Sequence, residues 1–131
     1  MGLLTGKTVV VTGVLTDQSI AFHIALLAQE EGADVILTSF GRTMSLTRRS
    51  ATRLPIEPPI VELDVTNDDD LAQFSDRLGE HCETVDGLVH SIGFAPESAL
   101  GGNFLHTAWS DVATAMQVSA YSLASLTMAA K

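Results

Sequence analysis

The chain has 131 residues, 46% of them hydrophobic, with a mean hydropathy of +0.26, which suits one domain with a buried core. Charged residues make up 18% of it, too few for a disordered polyelectrolyte. The formal net charge of −9 and sequence pI of about 4.6 exclude a nucleic-acid surface.

The one cysteine, Cys82, excludes an internal disulfide and fits a reducing, cytoplasmic compartment. The opening Met1-Gly2-Leu3-Leu4 lacks the basic segment of a secretory signal. Gly6 stands where a myristoylation motif needs Ser or Thr. No apolar run is long enough for a bilayer, so no membrane partner is expected.

In chain order, Val9, Val10 and Val11 predict a buried strand over 7–13, closed by Gly13 where a side chain would block whatever lies across the strand's carboxyl end. A helix over 19–31 follows, with Ser19 as N-cap and Ile20, Ile24, Leu27 and Ala28 on one face, ending at Gly32. The unpaired amides and dipole of such a helix start form an anion site. The spacing is not G-x-G-x-x-G, so this segment alone leaves cofactor binding open. Asp34–Ser39 reads as a second strand, and residues 43–53 as a helix that stops before Pro55. Its arginines, Arg42, Arg48, Arg49 and Arg53, read as a solvated face before a phosphate patch. A third strand over 60–63 leads into a helix over 68–80 with Asn67 as N-cap. The acidic Asp68, Asp69 and Asp70 suit the helix dipole, so no metal site is read from them. A fourth strand over 86–90, a loop to Asn103 and a helix from 107 onward complete the chain.

Repeated strand–helix units imply a parallel, doubly wound α/β sheet of the Rossmann type. Its order would be 3-2-1-4, with a ligand crevice at the reversal between strands one and four. Gly13, Phe40, Asp64 and the 91–95 loop all lie just past strand ends and would meet there. Phe40 by itself is more often a core plug than an adenine platform. Arg42 can face a ribose 2′-phosphate or solvent. Asp64-Val65 can clamp an adenine edge, or Asp64 can cap a turn. Gly93 fits close approach to a flat cofactor, and His90 reads as a packing histidine.

Together Thr12-Gly13, Ser19-Ile20-Ala21, Asp64-Val65 and His90-Ser91-Ile92-Gly93-Phe94-Ala95-Pro96 resemble the NADH-dependent enoyl-acyl-carrier-protein reductases. These are short-chain dehydrogenases/reductases of type II fatty-acid synthesis. The opening Met1-Gly2-Leu3-Leu4-x-Gly6-Lys7 and the late Ser119-Ala120-Tyr121-Ser122 fit the same family, so the resemblance runs the length of the chain. Ordinary short-chain dehydrogenases carry Asn-Asn-Ala-Gly at the strand-four motif.

The resemblance implies reduction of the 2,3 double bond of an acyl-carrier-protein- or CoA-linked enoyl thioester by hydride from NADH. It implies a cofactor site of Gly13, Ser19, Ile20, Phe40, Asp64, Val65, Ile92 and Gly93, with substrate entering at Ala95. It also implies a homotetramer in the complete enzyme, with the last helix, apolar on nearly every side, buried at a subunit interface. The family's Tyr-x6-Lys pair is not matched: Tyr121 is the one tyrosine, position 128 is Met128, and Lys131 is ten residues from Tyr121. No catalytic residue is therefore assigned. The expectation is a single domain over 1–131 carrying strands one to four of an incomplete fold, the N-terminal part of such an enzyme, inactive alone. The alternative is a nucleotide-binding or regulatory module without chemistry.

Overall fold

The computed structural model describes residues 2–131, so Met1 of the opening motif lies outside the described residues. Four strands, β1 (Thr8–Val11), β2 (Asp34–Ser39), β3 (Ile60–Glu62) and β4 (Gly87–Val89), pair in parallel in the order β3-β2-β1-β4. The expected topology is therefore present, with strands shorter than the sequence predicts at β1, β3 and β4. Val10 lies opposite Ile36 on one side and Leu88 on the other. Alternation then sends Val11, Val35 and Leu37 to one face of the sheet, and Val10, Ile36 and Val61 to the other.

The first face is covered by α1 (Ile20–Glu30) and by Ala51 of α2 (Met44–Ala51). The sequence predicts Ile20, Ile24, Leu27 and Ala28 as the packed stripe of α1. Of these Ala28 is buried as expected, but its buried companions are Ala21, Phe22 and Ala25, while Ile20 and Leu27 are 77% and 58% exposed. Alanines at i, i+4 and i+7 let α1 lie close on Val11 and Val35, which branched side chains would hold apart. Gly32, at φ +93°, closes α1 as a Schellman turn: its N–H reaches Gln29 O and that of Ala33 reaches Ala28 O.

The second face packs on α3 (Asp68–Gly79) and α5 (Ser122–Ala129), through Phe74, Leu78 and Leu126. Asn67 caps α3 by accepting from Asp70 N at 3.0 Å. Asp70 faces inward to the ion pair with Arg77, which fits its structural reading.

The single last helix predicted from 107 is interrupted: α4 (Trp109–Met116) passes through a π turn at Gln117–Tyr121 into α5. Thr114, Val118, Ser122 and Leu126 explain the turn. Residues four apart on an α-helix overshoot by about 40°, so three such steps drift about 120°. The extra residue of a π turn takes back roughly 100° of that. Thr114 and Val118 thus face the carboxyl ends of the strands, while Ser122 and Leu126 stay buried in the same chain. The far side is bare within the single chain: Trp109, Met116, Tyr121, Leu123 and Met128 are exposed, and the expected burial of this helix concerns an interface between subunits.

β4 is an edge strand, half-buried, held at its start by Asp86. Its carboxylate accepts from Thr8 N at 2.8 Å and from Lys7 Nζ at 3.2 Å. The Thr8 amide, then the Lys7 ammonium, hold that carboxyl below its ordinary range. Its contribution is full above the ordinary carboxylate pKa and is lost as pH falls through the lowered one. Burial pushes the Cys82 thiol up. Among the described residues no helix is long and apolar enough to cross a membrane.

Leu126 is fully buried against Phe74 and Leu78 and ties α5 to the sheet. Leu126→Ala is expected to lower unfolding free energy by about 2–5 kcal/mol, read as a lower urea midpoint at unchanged slope. An unshifted midpoint would show that α5 does not dock.

Candidate functional site

A cleft of about 550 Å³ opens at the carboxyl ends of all four strands, within the size range of small-molecule sites. Its floor begins at the junction of β1 and β4. Thr12, fully buried, extends that pairing with its side chain: Oγ1 donates to Val89 O at 2.8 Å and accepts from Ser91 N at 2.9 Å. Gly13 follows at φ +81°, and a Cβ there would stand 1.9 Å from Ser91 O. What lies across the strand end is thus the backbone of the strand-four loop, and only glycine fits.

From Gly13 the chain loops to α1 along one face of α2. Thr47 Oγ1 donates to Val14 O at 2.7 Å, Ser50 Oγ donates to Leu15 O at 2.9 Å, and Arg53 pairs with Asp17. The remaining arginines of the cluster, Arg42, Arg48 and Arg49, are exposed, as a solvated face requires. Ser19 occupies the N-cap position with extended backbone but makes no side-chain cap. Its hydroxyl turns back to accept from Leu15 N at 3.2 Å and Thr16 N at 3.1 Å, so it shapes the loop and leaves the first-turn amides of α1 without a side-chain partner.

At the end of β2, Phe40 is 40% exposed and lines the cleft. It is not a core plug. Behind it Ser39 Oγ lies 3.0 Å from Thr43 Oγ1 and 2.8 Å from Thr47 Oγ1, and Thr43 donates to Phe40 O at 2.7 Å. At the end of β3, Asp64 does cap a turn: Oδ1 accepts from Thr66 N at 2.9 Å and Thr66 Oγ1 at 2.7 Å. The Asp64 amide is held by Asp70 Oδ2 at 2.9 Å, and Arg77 secures Asp70 at 3.1 Å.

At the end of β4, Ser91, Ile92, Gly93 and Phe94 form one wall, with Thr114 and Val118 beside them. Gly93 differs from Gly13: a Cβ would meet only Ser119 Oγ, at 3.8 Å. Its packing within the chain does not demand glycine. His90 packs as expected, Nε2 lying 2.7 Å from the buried Ser122 Oγ. Ser122 in turn donates to Val118 O at 2.6 Å.

Of the residues singled out from sequence, Gly13, Phe40, Asp64, Val65, Ile92 and Gly93 line this one cleft, while Ser19, Ile20 and Ala95 do not. Ser19 is one hydrogen bond from the lining residue Leu15, and Ala95 follows the lining residue Phe94. Ser91 belongs to the 91–95 loop expected in the crevice and lines it, whereas sequence reasoning missed Ser39, Thr43, Thr114 and Val118. Thr114 and Val118 carry no local signal, because their role depends on the π turn. Asp64 is the one ionisable residue of the lining, and Arg42 lies outside it.

Residues 13–131 match the family described as enoyl-(acyl carrier protein) reductase. An enoyl-[acyl-carrier-protein] reductase [NADH] of Mycolicibacterium smegmatis is 50% identical over 133 residues, which are 98% of this chain and 49% of that protein. The protein of the same name in Mycobacterium avium is 44% identical, over 98% of this chain and 48% of its own length. One from Neisseria meningitidis serogroup B is 41% identical, over 100% of this chain and 51% of its own length. The chain spans about half the length of the curated relatives it matches.

The two cleft glycines should separate in a stability assay. Gly13→Ala adds left-handed strain and a backbone clash and is expected to cost about 2–5 kcal/mol. Gly93→Ala should stay within about 0.5 kcal/mol of the unaltered chain. Denaturant titration of both variants checks this, and equal midpoints would show that the Gly13–Ser91 approach is not a constraint.

Proposed function

The chain belongs to the enoyl-(acyl carrier protein) reductase family, and we propose that it forms the NADH cleft of an enzyme that reduces the 2,3 double bond of enoyl-acyl-carrier-protein thioesters. One observation carries this reading. The cleft sits where the strand order reverses, between β1 and β4, and is walled by the motif that begins at His90.

The residues present fit a dinucleotide. Phe40 offers an aromatic face at the β2 end for the adenine, and the Asp64–Val65 turn, held by Asp70, offers polar groups to its edge. The start of α1, whose amides lack a side-chain cap, suits the pyrophosphate beside Ser19 and Ile20. Ile92 and Gly93 face the remainder, and the open space in front of Gly93 is what a flat ring or ribose needs. Bound NADH supplies a hydride for the β-carbon of the enoyl thioester, which enters from the Ala95 side. The chain's own residues bind and orient, and the apolar walls exclude water. Tyr121 is 67% exposed and, like Lys131, lies outside the lining, so no residue here is assigned to proton transfer. That absence favours the second reading, a nucleotide-binding module without chemistry, for the 131 residues taken alone.

The reading extends to NADH over NADPH, since the lining has no cation to meet a 2′-phosphate. It extends to acyl-carrier-protein- or CoA-linked substrates, to the cytoplasm, and to a homotetramer without membrane or nucleic-acid partners. The bare apolar side of α4 and α5, where Trp109, Met116, Tyr121, Leu123 and Met128 are exposed, supports the assembly.

Fluorescence titration of the 131-residue chain tests the cleft. NADH is expected to bind, NADPH more weakly, and Gly93→Ala to weaken NADH by about tenfold at unchanged stability. An absence of NADH binding would overturn the reading. Crotonyl-thioester-dependent NADH oxidation by the same chain is expected to be absent, because losing even one oxyanion donor costs about 10²–10³ in rate. Turnover would place a proton-transfer group among these residues and remove the second reading.

A further inference from the structure

The π turn and the first residue of α5 hold two serines against the strand-four loop. Ser122 meets His90 at the loop's start, and Ser119 meets Phe94 four residues further on. Ser119 Oγ both accepts from and donates to the backbone of one residue: it accepts from Phe94 N at 3.0 Å and donates to Phe94 O at 3.0 Å. Phe94 lies in no helix or strand, so this side chain does for its backbone what a neighbouring strand would do. Between the two anchors lie Ser91, Ile92 and Gly93, which line the cleft. The anchor at Ser122 is buried, whereas Ser119 is exposed, its hydroxyl 3.8 Å from where a Cβ on Gly93 would stand.

We propose that Ser119 is a positioning residue for the cofactor: by clamping both polar groups of Phe94, it fixes Ile92 and Gly93 at the distance from β1 that a bound dinucleotide requires. The proposal rests on the NADH reading of the cleft. The mechanism is preorganisation. Without the clamp the loop is anchored only at His90 and at the Ser91 amide, and ligand binding must order the residues beyond them. The serine is not needed for the fold, because its contacts are solvent-exposed and α5 is held independently by Ser122 and Leu126.

The test uses the 131-residue chain, with NADH as probe, and the variants Ser119→Ala and Ser119→Thr. Ser119→Ala is expected to weaken NADH binding by about three- to tenfold, the range of one net hydrogen bond. Its thermal midpoint should not move, and amide exchange at Phe94 should accelerate. Ser119→Thr keeps the hydroxyl and is expected to restore both the affinity and the slow exchange. Equal NADH affinity in Ser119→Ala and the unaltered chain would overturn this inference and leave the NADH reading standing. Failure of the unaltered chain to bind NADH would overturn both. A lowered thermal midpoint that Ser119→Thr restores along with affinity would reduce Ser119 to a stabilising contact and overturn the positioning role.

Discussion

Beyond the last paired residues of β1 and β4, Thr12 carries the pairing one step further with its side chain, and Gly13 then lets the backbone lie against the Ser91 carbonyl. Two loops therefore leave the sheet from one point and diverge, residues 13–19 toward α2 and residues 91–95 toward the π turn. The cleft is the space between them. A Cβ at Gly13 or an unpaired Thr12 hydroxyl would separate the strands at the place where the crevice starts. The remaining walls only extend what this junction opens.

Each wall is held by short polar side chains. α2 and the turn after it bring Thr47, Ser50 and Arg53, three residues apart, to Val14, Leu15 and Asp17. α3 turns Asp70 toward the Asp64 amide, with Arg77 spanning Asp70 and Glu62 O. The π turn and the first residue of α5 use Ser119 and Ser122. Hydroxyls suit this task because they fix carbonyls without placing charge in the cleft. In a chain of net charge −9, the overall field repels an anionic ligand, but screening confines it to about 8–10 Å. Amides exposed at the α1 start act within that distance, so local dipoles decide the matter over net charge.

The strand order and the membership of six site residues in one crevice were legible because they follow from rules with few alternatives. Parallel strands joined by right-handed crossovers admit few orders, and residues past strand carboxyl ends gather on one side. The packed face of α1 was legible only at Ala28: hydrophobicity favours Ile20 and Leu27, but the close strand–helix approach selects Ala21 and Ala25 beside it. The role of Ser19 was half legible. Its position at the helix start was correct, yet its hydroxyl serves the preceding loop, because Leu15 and Thr16 amides would otherwise go unpaired there. The π turn was invisible, since Gln117–Tyr121 has ordinary helix-forming residues and only the spacing of Thr114, Val118, Ser122 and Leu126 demands it.

Glycine at 13 and glycine at 93 look alike in the sequence and stand on opposite walls of the same cleft, but they answer different demands. Gly13 is required by the chain itself: positive φ and a carbonyl at 1.9 Å from an added Cβ leave no other residue. Gly93 has ordinary backbone, and a Cβ added there would meet nothing of the chain nearer than 3.8 Å, so the fold itself does not exclude a side chain there. The wall carrying the second glycine is also the one anchored by an exposed serine rather than by strand pairing. The tight approach thus lies at the β1–β4 junction, and the open space around Gly93 lies one loop away from it. Side chains can change in the second region without loosening the first, which is the arrangement a binding cleft needs if it is to vary while the fold persists.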